Sequence, residues 1–252
     1  MNSATPEAHA SVRGLRVAIT GGTSGLGLAL VQTLSDRSAR VAFVARRAER
    51  VREVAHRHPG THGIPGDVSR KEETHPIALQ VTAALGGLDV LINNASSLGP
   101  VPLAPLADTD CEDLEAALAT NLVGPFRLTK ALLGALGAAA REGRPALVIN
   151  IISDAAVTAY PGWGAYGASK AALLHMSRIW NEELRVHGVR VEAIDPGDMD
   201  TPLHALAVPD ADRRGLKRPV DSAREIVAFI EEVARQTVSS DVARRHADAA
   251  SA

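Results

Sequence analysis

Residues 16–27 read RVAITGGTSGLG, a short apolar run that breaks into glycines and then into a Leu- and Ala-rich stretch. The run over 17–20 has the length and residue types of a buried strand, whereas residues 26–35 repeat their apolar positions at helical spacing. Gly21, Gly25 and Gly27 therefore sit where a strand turns sharply into a helix. Such a turn lets the backbone approach a phosphate lying on the helix N-terminus. The spacing is G-x-x-x-G-x-G, not the longer G-x-G-x-x-G fingerprint, and no G-K-S/T follows to make a P-loop. A plain structural turn competes with that reading. The position at the first β-to-α turn of an alternating chain favours the nucleotide.

The alternation runs on from there. Strands are expected over 17–20, 41–45, 90–93, 146–152 and 189–194, with a weaker one over 63–65. Helices are expected over 26–35, 49–56, 76–85, 111–140 and 165–187. Repeated βα units imply an α/β fold: a Rossmann-like, doubly wound parallel sheet in three layers. No internal linker or repeat interrupts it, so 1–252 reads as a single domain with mobile tails at 1–11 and about 239–252.

Composition excludes several classes. The chain has 252 residues, 46% of them apolar, and a formal net charge of −2, which offers no electrostatic case for nucleic acid or an anionic membrane. The single cysteine, Cys111, rules out an internal disulfide and a cysteine zinc site. No apolar run approaches the ~20 residues of a membrane span, and the first residues lack a signal-peptide pattern. A cytoplasmic location is the expectation. The acidic loop DPGDMD, 195–200, fails as a calcium site because Pro202 stands where a further ligand is needed, so no metal is expected.

Further motifs follow the glycine loop in order. They are GDV at Asp67–Val68, NNAS from Asn93 to Ser96, Asn121 in NLVG, Ser153 standing 13 residues before Tyr166, Tyr166-x-x-x-Lys170, and Pro196–Gly197 followed by Thr201. Each is weak alone, but in this order and spacing the chain resembles the short-chain dehydrogenases/reductases from about residue 15 to 230. That resemblance implies a catalytic set of Asn121, Ser153, Tyr166 and Lys170. It also implies cofactor contacts from Gly21, Thr23, Ser24, Gly25 and Leu26, from Asp67 and Val68, from Asn93 and Ala95, from Tyr166 and Lys170, and from Pro196, Gly197, Met199 and Thr201. Lys170 would hold the nicotinamide ribose, and Asn121 would position a water that feeds protons to Tyr166. A homodimer or homotetramer is implied too, although the family's Gly/Val-rich seventh strand has no counterpart in QTVSSDVARRHADAA.

The residue types fit that chemistry. Tyr166 and Lys170 lie one helical turn apart on one face. A phenol of pKa near ~10 is a poor proton shuttle at neutral pH, and an ammonium close by is expected to lower it by ~1–3 units. Ser153 adds a hydroxyl to polarise the carbonyl. The second strand ends in Ala45 without a carboxylate and is followed by Arg46 and Arg47, a pattern that suits the 2′-phosphate of NADP(H). Ser96 replaces a family glycine, and Asp154 stands where many members carry a small neutral residue, placed to face the substrate. The pocket is expected from 155–163 and the loop 198–219. The reading is an NADPH-dependent reductase of a small or medium ketone or aldehyde; the alternative is a non-catalytic NADP(H)-sensing protein on the same fold.

Overall fold

In the computed structural model, residues 11–250 are described, with side chains to Ser239. Six strands form one parallel sheet: β1 (Arg16–Thr20), β2 (Arg40–Ala45), β3 (His62–Pro65), β4 (Val90–Asn93), β5 (Leu147–Ile151) and β6 (Arg190–Ile194). Their order is β3-β2-β1-β4-β5-β6. The helices between them are α1 (Gly25–Asp36), α2 (Ala48–Arg57), α3 (Thr74–Leu85), α4 (Cys111–Leu118), α5 (Gly124–Arg141), α6 (Gly164–Leu184), α7 (Pro202–Ala207) and α8 (Pro219–Ala250).

Strand side chains alternate between two cores, as the pleat requires. Val17, Ile19, Val90, Ile92, Leu147 and Ile149 face a layer that includes Leu30 and Leu34 of α1, Val51 of α2, and Ile226 and Ile230 of α8. Ala18, Leu91 and Val148 face the opposite layer, with Ile77 and Val81 of α3 and Leu128 and Leu132 of α5. Both faces are covered, which is why the strands read as near-continuous apolar runs. The three-layer expectation holds.

Two expectations change. The single helix expected over 111–140 is interrupted by one wide turn of π-helix, Ala119–Val123, between α4 and α5. Pro125 has no N–H to give the carbonyl of Asn121, four residues earlier, so the regular register cannot continue there. At the other end, the polar composition predicted a tail from about 239, but the backbone is helical to Ala250. Helix α8 lies along α1, where Arg37 pairs with Glu231 at 2.9 Å. The tail expected over 1–11 lies, apart from Ser11, outside the described residues, as do 251–252.

The amino end of the sheet is tied by Asp89, a buried carboxylate just ahead of β4. It accepts from the backbone N–H of Arg16 (2.7 Å), from the Arg16 guanidinium (2.7 and 3.1 Å) and from that of Arg144 (2.6 and 2.9 Å). Burial is the largest influence on this group and pushes its pKa up, but the two arginines together outweigh it and hold the carboxyl below its ordinary value. Its stabilisation is therefore present above the ordinary carboxylate pKa and is lost as the pH falls through the folded value. Asp89→Asn should cost about 2–3 kcal/mol at pH 7, less than a fully buried pair because Arg144 reaches solvent. Urea unfolding at pH 7 and pH 3 should show the gap between the parent and the variant closing in acid.

Candidate active site

The carboxyl ends of β1 and β4 part where the strand order reverses, and a cleft of about 1340 Å3 opens there. The β1–α1 loop forms one wall. Thr20 Oγ1 accepts from the backbone N–H groups of Asn94 and Ala95, both at 3.0 Å, and the Asn94 carboxamide donates to the Thr20 carbonyl at 2.9 Å. Gly21 takes a left-handed conformation with φ near 73°. A Cβ on Gly27 would lie 2.1 Å from the Gly21 carbonyl oxygen and 2.6 Å from Asn94 Nδ2. The loop is thus bare backbone pressed against residues 94–95. Ser24 makes no side-chain cap to α1, so the N–H groups of its first turn are left for a ligand. These features fit a dinucleotide's phosphates.

Most of the residues proposed from sequence converge on this cleft. Gly21, Thr23, Ser24, Gly25, Leu26, Arg46, Arg47, Asp67, Val68, Ala95, Ser153, Tyr166, Lys170, Pro196, Gly197, Met199 and Thr201 all line it. Neither guanidinium of Arg46 and Arg47 is engaged in a hydrogen bond or ion pair among the described residues. Asp67 uses one carboxylate oxygen to accept from Ser69, at 3.0 Å from its N–H and 2.7 Å from its hydroxyl. A local turn role therefore coexists with its place in the cleft.

Asn93 and Asn121 are placed differently. Asn93 ends β4 with its carboxamide turned into the core, donating to Asn150 (2.8 Å) and Thr129 (3.2 Å). The next residue, Asn94, is the one on the cleft. Asn121 sits in the π-turn, fully buried, with every hydrogen-bonding position of its side chain used. Its Oδ1 accepts from the Ser97 N–H (2.8 Å) and the Ser96 hydroxyl (3.2 Å), and its Nδ2 donates to the Ser97 carbonyl (2.7 Å) and Ser169 (2.8 Å). This side chain clamps the loop after β4 to α6, its four hydrogen-bonding positions filled by protein groups.

The floor of the cleft is made by Ser153, after β5, and by Tyr166 and Lys170 of α6. Lys170 is buried and donates to the Ile151 carbonyl at 2.7 Å, with its Nζ 5.5 Å from the Tyr166 ring centre. Burial pulls its pKa down to about 7. Burial also pushes Tyr166 up to about 12, against hydrogen bonding with Ser153 and Ser96, while the negative charges of Asp195 and Asp154 add to the rise. The shift on the phenol thus runs opposite to the one expected from the spacing, with desolvation as its largest cause. Asp154 and Tyr160, which also line the cleft, form a hydrogen-bonded set with Ser153.

Residues 16–212 match the family model described as short chain dehydrogenase. L-fucose dehydrogenase of Mus musculus is 32% identical over 199 residues, 79% of this chain and 70% of that protein. Serine 3-dehydrogenase of Rhizobium radiobacter is 34% identical over 189 residues, 73% of this chain and 72% of that protein. A short chain dehydrogenase from Burkholderia cenocepacia J2315, solved in complex with NADP, has a TM-score of 0.77 and 26% identity, covering 88% of this chain and 91% of that one. The chain belongs to the short-chain dehydrogenase/reductase family. It is an NAD(P)-dependent oxidoreductase acting on CH–OH or C=O groups.

The opposed shifts of Lys170 and Tyr166 make contributions to stability that rise with pH above the folded lysine value and fall again above the ordinary tyrosine value. Between about 7 and 10.5 the unfolded chain holds a proton on Lys170 that the folded chain has released, so stability rises with pH. Above 10 the folded chain keeps the Tyr166 proton that the unfolded chain loses, so stability falls. Lys170→Met should remove the rise, by on the order of a few kcal/mol. Denaturant melts of both proteins at pH 7, 8.5 and 10 measure it.

Proposed function

We propose that the protein reduces a small or medium ketone or aldehyde with NADPH, and oxidises the alcohol in reverse, with Tyr166 as the proton donor. The observation that carries this reading is the cleft floor. A buried phenol lies there beside the Ser153 hydroxyl and over a buried lysine, at the switch point of a sheet whose glycine loop fits phosphates. When bound, the nicotinamide supplies hydride to the carbonyl carbon. Tyr166, still protonated at neutral pH, gives its proton to the carbonyl oxygen as negative charge develops there. Ser153 hydrogen-bonds the same oxygen. Lys170 replenishes the proton, since a pKa near 7 lets it exchange with solvent at the working pH. Asn121 acts as a positioning residue that fixes the loop at 96–97 against α6.

Arg46 and Arg47 support the preference for NADPH. They follow Ala45 at the end of β2, line the cleft and are not engaged elsewhere. The sensing alternative is disfavoured because it has no use for a complete Ser153, Tyr166 and Lys170 floor.

Tyr166→Phe removes one hydroxyl from a packed site and should keep the fold and cofactor binding while lowering turnover by roughly 10²–10⁴-fold. NADPH oxidation over a panel of ketones and aldehydes checks this, and a variant within a few-fold of the parent would refute the assignment. For the cofactor, fluorescence titration should show NADPH bound tighter than NADH by on the order of tenfold to a hundredfold. Combining Ala45→Asp with Arg46→Ala should reverse that order. Equal affinities in the parent would leave the two arginines as surface residues.

A further inference from the structure

Asp154 is the part of the cleft for which the proposed chemistry has no use. Its Oδ1 accepts the Ser153 hydroxyl at 2.9 Å and its Oδ2 accepts the Tyr160 hydroxyl at 2.6 Å. Among the described residues no lysine, arginine or histidine pairs with it. The Tyr160 hydroxyl, with help from Ser153, holds its carboxyl below the ordinary value, so at neutral pH it is an acceptor only. Tyr160 in turn leans on Trp163, which meets the Tyr166 ring edge-on, their centres 5.7 Å apart. The carboxylate thus stands at the rim of the reacting centre with neutral partners alone.

The arrangement sets a conflict. A serine hydroxyl has a single hydrogen. Here Ser153 gives it to Asp154, while its oxygen accepts from the Ala155 N–H at 3.2 Å. A carbonyl oxygen arriving beside Tyr166 must draw that hydrogen away from a carboxylate, exchanging a charge-assisted bond for a weaker neutral one. Asp154 Oδ1 then loses its serine donor, and on this exposed side chain its replacement is either water or the substrate. A substrate with its own O–H or N–H on the carbon next to the carbonyl supplies that donor from within the bound complex as Ser153 turns, whereas a plain ketone leaves the carboxylate to water.

We propose that Asp154 is the specificity-determining residue of this cleft. It selects α-hydroxy and α-amino carbonyl compounds, and the vicinal diols and amino alcohols of the reverse reaction, over compounds without a neighbouring donor. The inference rests on the reductase reading above.

The test uses matched probes: 3-hydroxy-2-butanone, 3-methoxy-2-butanone and 2-butanone, each with NADPH. The methoxy compound keeps the electron-withdrawing oxygen but has no donor. The parent should favour the hydroxyketone over the methoxyketone in kcat/KM by about threefold to tenfold, the exposed carboxylate being open to water, and mostly through KM. In Asp154→Ala the hydroxyketone should fall and the other two should rise, because the Ser153 hydrogen is freed. Asp154→Asn, which keeps an acceptor oxygen, should lie between. A merely structural role would lower all three together, and that result, or a parent indifferent to the hydroxyl, overturns the proposal. Binding of 2,3-butanediol against 2-butanol, read by tryptophan fluorescence, separates the two readings. A diol preference that vanishes in Asp154→Ala upholds the selection even if no ketone is reduced, an outcome that would sink the reductase reading alone.

Discussion

The site depends on one close approach, that of the β1–α1 loop to the chain leaving β4. Two hydrogen bonds join Thr20 to Asn94 and a third joins it to the Ala95 N–H, and there is no room for a side chain at Gly27. The contact leaves backbone N–H groups facing outward at the point where neighbouring connections run to opposite faces of the sheet. The cleft follows from topology, and its chemistry from what is left bare there. At the other end of the same strands, Asp89 gathers Arg16 and Arg144 and fixes the relative positions of β1, β4 and β5. One end of the sheet is closed by charge and the other is kept open by glycine.

A second constraint runs through Asn121. The π-turn that Pro125 enforces places a fully satisfied carboxamide between the loop at 96–97 and Ser169 on α6. A buried network with every member paired is rigid, because breaking any one bond strands a polar group. Tyr166 and Lys170 stand on the same helix as Ser169, so their distance from the β4 loop is set by this clamp.

What could be read from the sequence was what is local. The glycine turn, the strand–helix alternation and the one-turn spacing of Tyr166 and Lys170 are all properties of adjacent residues, and the fold bears them out. Four features escaped. Asp89 draws its partners from 73 and 55 residues away, a separation that leaves no local pattern. The side of the strand to which Asn93 or Asn94 turns depends on where β4 ends, and a shift of one residue exchanges the two faces. The widened turn at Asn121 keeps the apolar periodicity of the helices on both sides, so only Pro125 hints at it. The direction of the tyrosine shift escaped for a related reason. Spacing reports proximity, whereas pKa depends on how much water is removed.

Burial acts on the two central groups in opposite senses, and this makes them a coupled pair. Desolvation penalises whichever form is charged, so it keeps the proton on the phenol and takes it from the amine. The resting floor is therefore close to neutral, with little buried charge to stabilise. If Tyr166 gives up its proton, as proposed, the phenolate would lie beside Lys170 in a medium of low polarity and raise the lysine's affinity for a proton. Loss at one group drives uptake at the other, so the pair titrates as a unit whose apparent values belong to neither residue alone. The lowered lysine and the raised tyrosine are thus two faces of one arrangement, and under the proposed mechanism a proton leaving Tyr166 would create the field that draws in its replacement.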